Sequence, residues 1–225
     1  DLLNVHTGEI VEGVEVAVYK GVVVHVGDCS SHVGEGTEVL DARSMTVVPG
    51  LLDAHAHFES SMLTLTEYAK AVAPHGTTSV FLDPHEIVNV LGPEVMGFLL
   101  REARGLPVRV FLEVPSCVPA SPGFETSGGR VGPEDVAKWV AVEGVVALAE
   151  VMDFQRVLSG DEAIIAEIDE ALRAGRVVEG HCPGLLGREL SAYAVAAVSS
   201  DHEATTAREA LERLRAGMWL EVREG

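Results

Sequence analysis

The chain has 225 residues, enough for one large domain or a domain with a small companion. It is 47% hydrophobic and 23% charged, an ordinary globular balance, and with aromatics at 5% its core must be aliphatic. A formal net charge of −19 argues against nucleic acid and anionic membranes as partners, because both repel an acidic surface; it does not choose a substrate.

Residues 1–45 read as a small β-rich subdomain. Val14 to Tyr19 alternates, Lys20-Gly21 is a turn, Val22 to Gly27 follows, and Glu38 to Ala42 makes another short strand. His6, His25 and His32 lie here without a second ligand type beside them and read as ordinary surface residues. Three cysteines, Cys29, Cys117 and Cys182, are too few and too scattered for a disulfide framework, which predicts a reducing, cytoplasmic setting. There is no charged-then-apolar leader and no apolar run long enough to span a bilayer. The chain opens on Asp1, so an upstream piece is expected to be missing or removed.

From Thr46 to residue 225 the pattern becomes strand, loop, helix, repeated. Strands are predicted at 46–53, 77–83, 108–114, 145–150, 177–181, 197–201 and 218–223. Helical spacing runs from Leu63 to Val72 and from Ile87 to Ala103, the latter with Pro93 as a break or a fresh start. Further helices open at Pro133-Glu134-Asp135 and at Asp161-Glu162, the second stopping at Arg173-Ala174-Gly175, and a last one covers Thr205 to Ala216 before Gly217. Such alternation builds parallel β/α units, and unbroken runs such as Val145 to Ala149 fit strands covered on both faces. The fold class expected is therefore α/β, a (β/α)8 TIM-type barrel from which the eighth strand is absent. The stretch after Thr46 falls short of the roughly 200 residues of the smallest closed barrels. A doubly wound open sheet is disfavoured, because no Gly-rich phosphate loop follows the first strand.

The first apolar run ends in His55-Ala56-His57. Residues two apart in a strand point to one side, so both imidazoles can face one point, as a metal requires. Two surface histidines on a strand end would look the same. Glu150, His181 and His202 also stand at or just beyond strand ends, the rim on which β/α barrels build their sites. Four imidazoles and one carboxylate suit zinc, iron or manganese better than calcium or magnesium, and a central Glu can bridge two ions. Taken singly, a strand-end Glu is a cap or ion-pair partner and a lone His a satisfied core group. Other hydrolytic chemistries lack their parts. The Pro-Cys-x-x-Cys of the zinc nucleobase deaminases is missing, there is no Gly-x-Ser-x-Gly elbow, and Cys117 has no histidine nearby in sequence.

The stretch Pro49 to His57 resembles the first-strand motif of the amidohydrolase superfamily. Longer blocks resemble its bacterial and archaeal adenine deaminases: His57 to Thr64, Asp83-Pro84-His85-Glu86 onward to Gly92, Pro115 to Ala120, Gly180-His181-Cys182-Pro183-Gly184-Leu185 and Ser199-Ser200-Asp201-His202-Glu203. The resemblance implies a binuclear divalent metal centre, manganese or iron and sometimes zinc. His55 and His57 would bind one ion, Glu150 would bridge, and His181 and His202 would bind the other. It also implies a purine substrate, with a metal-bound hydroxide deaminating adenine to hypoxanthine and ammonia in purine salvage, and a homo-oligomer. Residues 1–45 would be the first part of a composite β-sandwich. His85 is then the candidate for a second polar group at the reacting carbon, or else it holds the turn from Asp83 to Glu86. Glu59 would bond a ring nitrogen or orient His57; Asp201 and Glu203 would support the ligands beside them. The family's further aspartate, from the eighth strand, has no counterpart here, which leads to the expectation of a truncated chain that is inactive alone. The alternatives are another binuclear amidohydrolase acting on cyclic amides or dipeptides, and an inactive piece awaiting a completing segment.

Overall fold

A computed structural model describes residues 1–223. Contacts divide the chain into two compact units, Asp1–Gly50 and Leu51–Gly225. In the first, β1 (Leu2–Leu3) pairs antiparallel with β2 (Ile10–Val11), and β3 (Glu15–Tyr19) with β4 (Val22–Gly27). Lys20 and Gly21 have φ of 51° and 77°, the two consecutive left-handed residues that a type I′ hairpin turn needs. The strand expected over Glu38 to Ala42 does not form. Asp41 there accepts from the backbone N–H and guanidinium of Arg43, a local turn that competes with strand pairing. His6, His25 and His32 are exposed, and the last two stack on one another with centroids 4.9 Å apart.

In the second unit, β5 (Leu51–Ala56), β6 (Thr77–Leu82), β7 (Arg109–Val114), β8 (Val145–Val151) and β9 (Val177–Gly180) form one parallel sheet in chain order. A shorter parallel pair, β10 (Ser200–Asp201) and β11 (Trp219–Leu220), continues the arc. It is joined by Ser199 N–H to the Val178 carbonyl at 2.9 Å and by Gly180 N–H to Ser200 Oγ at 3.1 Å. The first strand therefore starts five residues later than expected, after Pro49-Gly50, and the last two strands are shorter than expected.

Helices fill the connections: α1 (Leu65–Val72), α2 (His85–Leu91), α3 (Val95–Glu102), α4 (Pro133–Val140), α5 (Phe154–Ser159), α6 (Glu162–Arg173), α7 (Gly187–Val195) and α8 (Ala207–Arg215). Thr64, Asp161 and Thr206 cap α1, α6 and α8 with their side-chain oxygens. The helix expected from Ile87 to Ala103 is two helices broken at Gly92-Pro93. α5 and α7 were not anticipated. α5 is barely more than a turn, and Gly187 at the head of α7 hides its start. Among the described residues no helix is long and apolar enough to cross a membrane.

The sheet is strongly curled. Flat strands spaced about 4.8 Å apart would leave β5 and β10 roughly 24 Å apart, yet the rings of His55 and His202 at their ends stack with centroids 4.0 Å apart. The aliphatic core lies between sheet and helices: Val80, Leu82, Leu112, Val145, Leu148, Ile164 and Leu190 are all buried. Val145 to Ala149 is covered on both faces as expected, with only Val146 partly open.

The close approach of β10 to β9 depends on Gly180. A Cβ there would stand 2.2 Å from the Ser200 carbonyl oxygen and 2.7 Å from Val198 Cγ1. Gly180→Ala is expected to cost about 1–3 kcal/mol, read as a lower urea midpoint at unchanged m-value. On α6, burial pushes Glu167 up to about 8, and one of its buried oxygens has no partner. Its acid is thus held neutral in the fold while the unfolded chain ionises near 4.5. Stability must fall as pH rises between those values. Glu167→Gln is expected to flatten that decline by about 1.4 kcal/mol per pH unit within this window, measured by urea unfolding across pH.

Candidate metal centre

Glu150, the penultimate residue of β8, is buried at the focus of the curled sheet, and its two oxygens face different histidines. Oε1 lies 3.5 Å from His57 Nε2 and 3.4 Å from His85 Nδ1. Oε2 lies 2.7 Å from His181 Nδ1, 3.1 Å from His202 Nε2 and 3.9 Å from His55 Nε2. The five residues expected from the strand-end pattern thus come together. His55 lies inside β5 and His57 one residue past it, while His181 and His202 directly follow β9 and β10.

The nitrogens are arranged as ligands. His55 Nε2 and His57 Nε2 stand 3.1 Å apart, and His181 Nδ1 and His202 Nε2 stand 3.3 Å apart. Two nitrogens each about 2.0–2.1 Å from one ion in a tetrahedral shell are roughly 3.3 Å apart, so both spacings fit a shared divalent ion. His57 Nδ1 lies 2.9 Å from the Asp83 carbonyl oxygen. A carbonyl only accepts, so Nδ1 is the donor there, and Nε2, on the Glu150 side, is the nitrogen left for a metal. Nitrogen-rich donors around one carboxylate match a borderline metal, and His57-Asp83-His85-Glu150, His55-His202-Glu221 and Glu150-His181-His202 are each close enough to hold one.

The electrostatics follow from crowding and burial. Burial alone would push the Glu150 acid up. Hydrogen bonds from His181 and His202, together with the nearby imidazoles, outweigh it and hold the carboxylate ionised well below the usual range. Burial drives His55 down to about 3, helped by the neighbouring His202 and opposed by Glu150, so its ring is neutral and free to ligate. Burial also opposes charge on His85, but the bond to Asp83 and the negative charge of Asp83 and Glu150 raise it to about 9.

His85 holds the turn that was one of its two expected uses and lies beside Glu150. Its Nδ1 is 3.0 Å from Asp83 Oδ2, holding the turn into α2, while the ring faces Glu150. Glu59 does not orient His57, whose Nδ1 is already held by the main chain. Its Oε1 accepts the backbone N–H groups of Glu86 and Ile87 at 3.2 and 3.3 Å, capping α2, the helix that carries His85. Glu203 Oε1 lies 3.6 Å from His202 Nε2 and 3.8 Å from His181 Nδ1, the nitrogens that also face Glu150, and Arg223 sits 2.5 Å from it. Cys117 and Cys182 are buried and pushed up to about 11 and 12, so neither is a ready nucleophile.

Asp83, Tyr193 and Arg213 were missed as site residues. Asp83 stood in the Asp-Pro-His block and was legible there, directly after a strand and two residues before a histidine. Tyr193 and Arg213 sit on helices with nothing in their local sequence to mark them. The Tyr193 hydroxyl accepts His181 N–H at 3.0 Å and donates to the Val151 carbonyl at 2.7 Å, which ties the residue after Glu150 to His181. A cleft of about 280 Å³ opens beside the cluster, lined by Asp53, His55, His57, Ser60, His202 and Glu221 among others.

Residues 46–224 match the model of the amidohydrolase family, and the chain belongs to that family, a class of metal-dependent hydrolases acting on C–N bonds. Within it, the chain is similar to adenine deaminases. It is 46% identical over 225 residues to the adenine deaminase of Moorella thermoacetica and 47% identical over 225 residues to that of Archaeoglobus fulgidus. Both alignments take in 100% of this chain and 38% of the relative, so the chain spans little more than a third of those enzymes. Among solved structures it resembles a prolidase complexed with N-methylphosphonate-L-proline, with TM-score 0.61 and 17% identity, covering 97% of this chain and 63% of that one. It also resembles the 5-methylcytosine deaminase of Klebsiella pneumoniae, with TM-score 0.52 and 13% identity, covering 92% of this chain and 61% of that one. At those identities the likeness is one of fold.

Removing the Tyr193 hydroxyl strands a partly buried N–H and a buried carbonyl at once. Tyr193→Phe is expected to cost about 1–3 kcal/mol in urea unfolding and to leave the far-ultraviolet circular dichroism of the folded protein intact.

Proposed function

We propose that this chain carries the metal-binding part of an adenine deaminase, which hydrolyses adenine to hypoxanthine and ammonia in purine salvage. The observation that carries the reading is Glu150, whose two carboxylate oxygens look toward different histidines at spacings suited to two ions. His55 and His57 would hold one ion, His181 and His202 the other, and Glu150 would bridge. Manganese or iron is our reading of the metal, with zinc as a further fit to this donor set. When bound, divalent ions supply Lewis acidity and make water ionisable near neutral pH.

The chain's own residues do the rest. The Asp83 carbonyl fixes which nitrogen of His57 is free. Asp83 Oδ2 and Glu150 keep His85 protonated, so it can give a proton to the departing amine, a step any C6 deamination requires. Glu59 holds α2 and therefore His85 in place. The arc of seven parallel strands is read as a (β/α)8 barrel without its eighth strand, residues 46–225 as its domain, and residues 1–45 as part of a β-sandwich. A homo-oligomer in a reducing cytoplasm completes the proposal, in keeping with three free, buried cysteines.

The test is metal analysis together with turnover of adenine, a cyclic imide and a dipeptide by the Mn²⁺-loaded protein. Two equivalents of metal are expected on this chain, and conversion of adenine to hypoxanthine in the full-length enzyme that carries it. Glu150→Gln is expected to lower metal affinity at least 10–100-fold and to abolish turnover. Absence of metal binding, or a preference for the imide or the dipeptide, sinks the reading. Separately, His85→Asn is expected to retain both metals while kcat falls about 10²–10⁴-fold, as loss of a general acid does.

A further inference from the structure

One cation, wholly shielded from solvent, sits behind the His181 and His202 pair. Arg213 on α8 and its partner Asp201 have no exposed side-chain surface. The Arg213 Nε donates to Asp201 Oδ2 at 2.8 Å. Its Nη1 donates to the Leu185 carbonyl at 2.8 Å, and its Nη2 to the Cys182 carbonyl at 2.6 Å. The other oxygen of Asp201, Oδ1, accepts the Cys182 N–H at 2.8 Å. Asp201 immediately precedes His202, and Cys182 immediately follows His181. A single guanidinium therefore bonds the neighbour of one imidazole and the neighbour of the other, and Asp201 closes the loop between them.

A pair this deeply buried is a poor stabilising device, because the desolvation of two charges offsets their attraction. The chain has only 16 Lys and Arg against 35 Asp and Glu, and it places one of those cations where water cannot reach it. What such a pair does supply is geometry. A planar fork engages three acceptors in fixed directions, which a lysine ammonium on a flexible stem does not.

We propose that Arg213 is a positioning residue for the second metal site: with Asp201 it sets the separation of His181 and His202 so that both rings meet Glu150 as one ligand pair. This rests on the metal reading given above. Arg213 touches neither the cluster nor the cleft and acts only through the two backbone segments.

The test is Mn²⁺ equilibrium dialysis on the protein, with near-ultraviolet circular dichroism to establish folding. Arg213→Lys keeps the charge and loses the fork; it is expected to fold, to bind the first equivalent as the wild type does, and to bind the second 10–100-fold more weakly. The double variant Asp201→Leu with Arg213→Met removes charge and fork together; it strands the Cys182 N–H and the Cys182 and Leu185 carbonyls, so it is expected to fold with a lower urea midpoint than the wild type and to weaken the second equivalent in the same way. Two equivalents at wild-type affinity in either folded variant overturn the inference. So does failure of both variants to fold, which makes the pair a structural element only. A wild-type protein that takes up no Mn²⁺ overturns the metal reading and this inference with it, whereas the other outcomes strike this inference alone.

Discussion

The molecule is organised around the cost of burying one carboxylate. Glu150 sits at the end of an otherwise aliphatic strand, where an ionised group without partners would be pushed to its neutral form. It stays ionised because the sheet curls until histidines from three other strand ends face it. The curl depends in turn on contacts that carry no charge. Gly180 lets β10 approach β9, Ser199 and Ser200 tie the short pair β10–β11 to the longer sheet, and an aliphatic layer fills the space under the helices. Site and fold are thus one problem, since the ligands converge only if the sheet bends.

Apart from α2, which carries His85 to Glu150, the helices reach the site through bonds to the main chain around it. Tyr193 on α7 bonds main-chain groups beside Glu150 and at His181. Arg213 on α8 bonds main-chain groups and the carboxylate beside His202. Glu59 bonds the first turn of α2. Each replaces a main-chain group's lost water contact with a side-chain partner at a place where a strand ends and no ladder continues. The result is a rim whose loops are held by specific bonds more than by packing.

Much of this was legible beforehand. The strand and helix alternation, the Gly-Pro break between α2 and α3 and the convergence of His55, His57, Glu150, His181 and His202 all follow from periodicity and from the rule that such folds gather chemistry at strand ends. The strand expected at Glu38 to Ala42 failed because a local Asp41–Arg43 turn, which alternation cannot express, took its backbone. The capping role of Glu59 was not legible, because the helix start it caps lies some 27 residues on. Arg213 was invisible for a deeper reason: on a helix rich in charge it looks like its solvated neighbours Arg208 and Arg215, and only the tertiary structure turns it inward.

One detail bears on how such a centre can vary over time. The atom that settles which nitrogen of His57 is free is an oxygen of the peptide backbone. Side chains drift by mutation, but a carbonyl at that spot persists through any replacement of residue 83 that leaves β6 and its following turn in place. The hydrogen bond that orients this imidazole is therefore inherited with the path of the chain, and the neighbouring carboxyl, relieved of that duty, is left to hold His85.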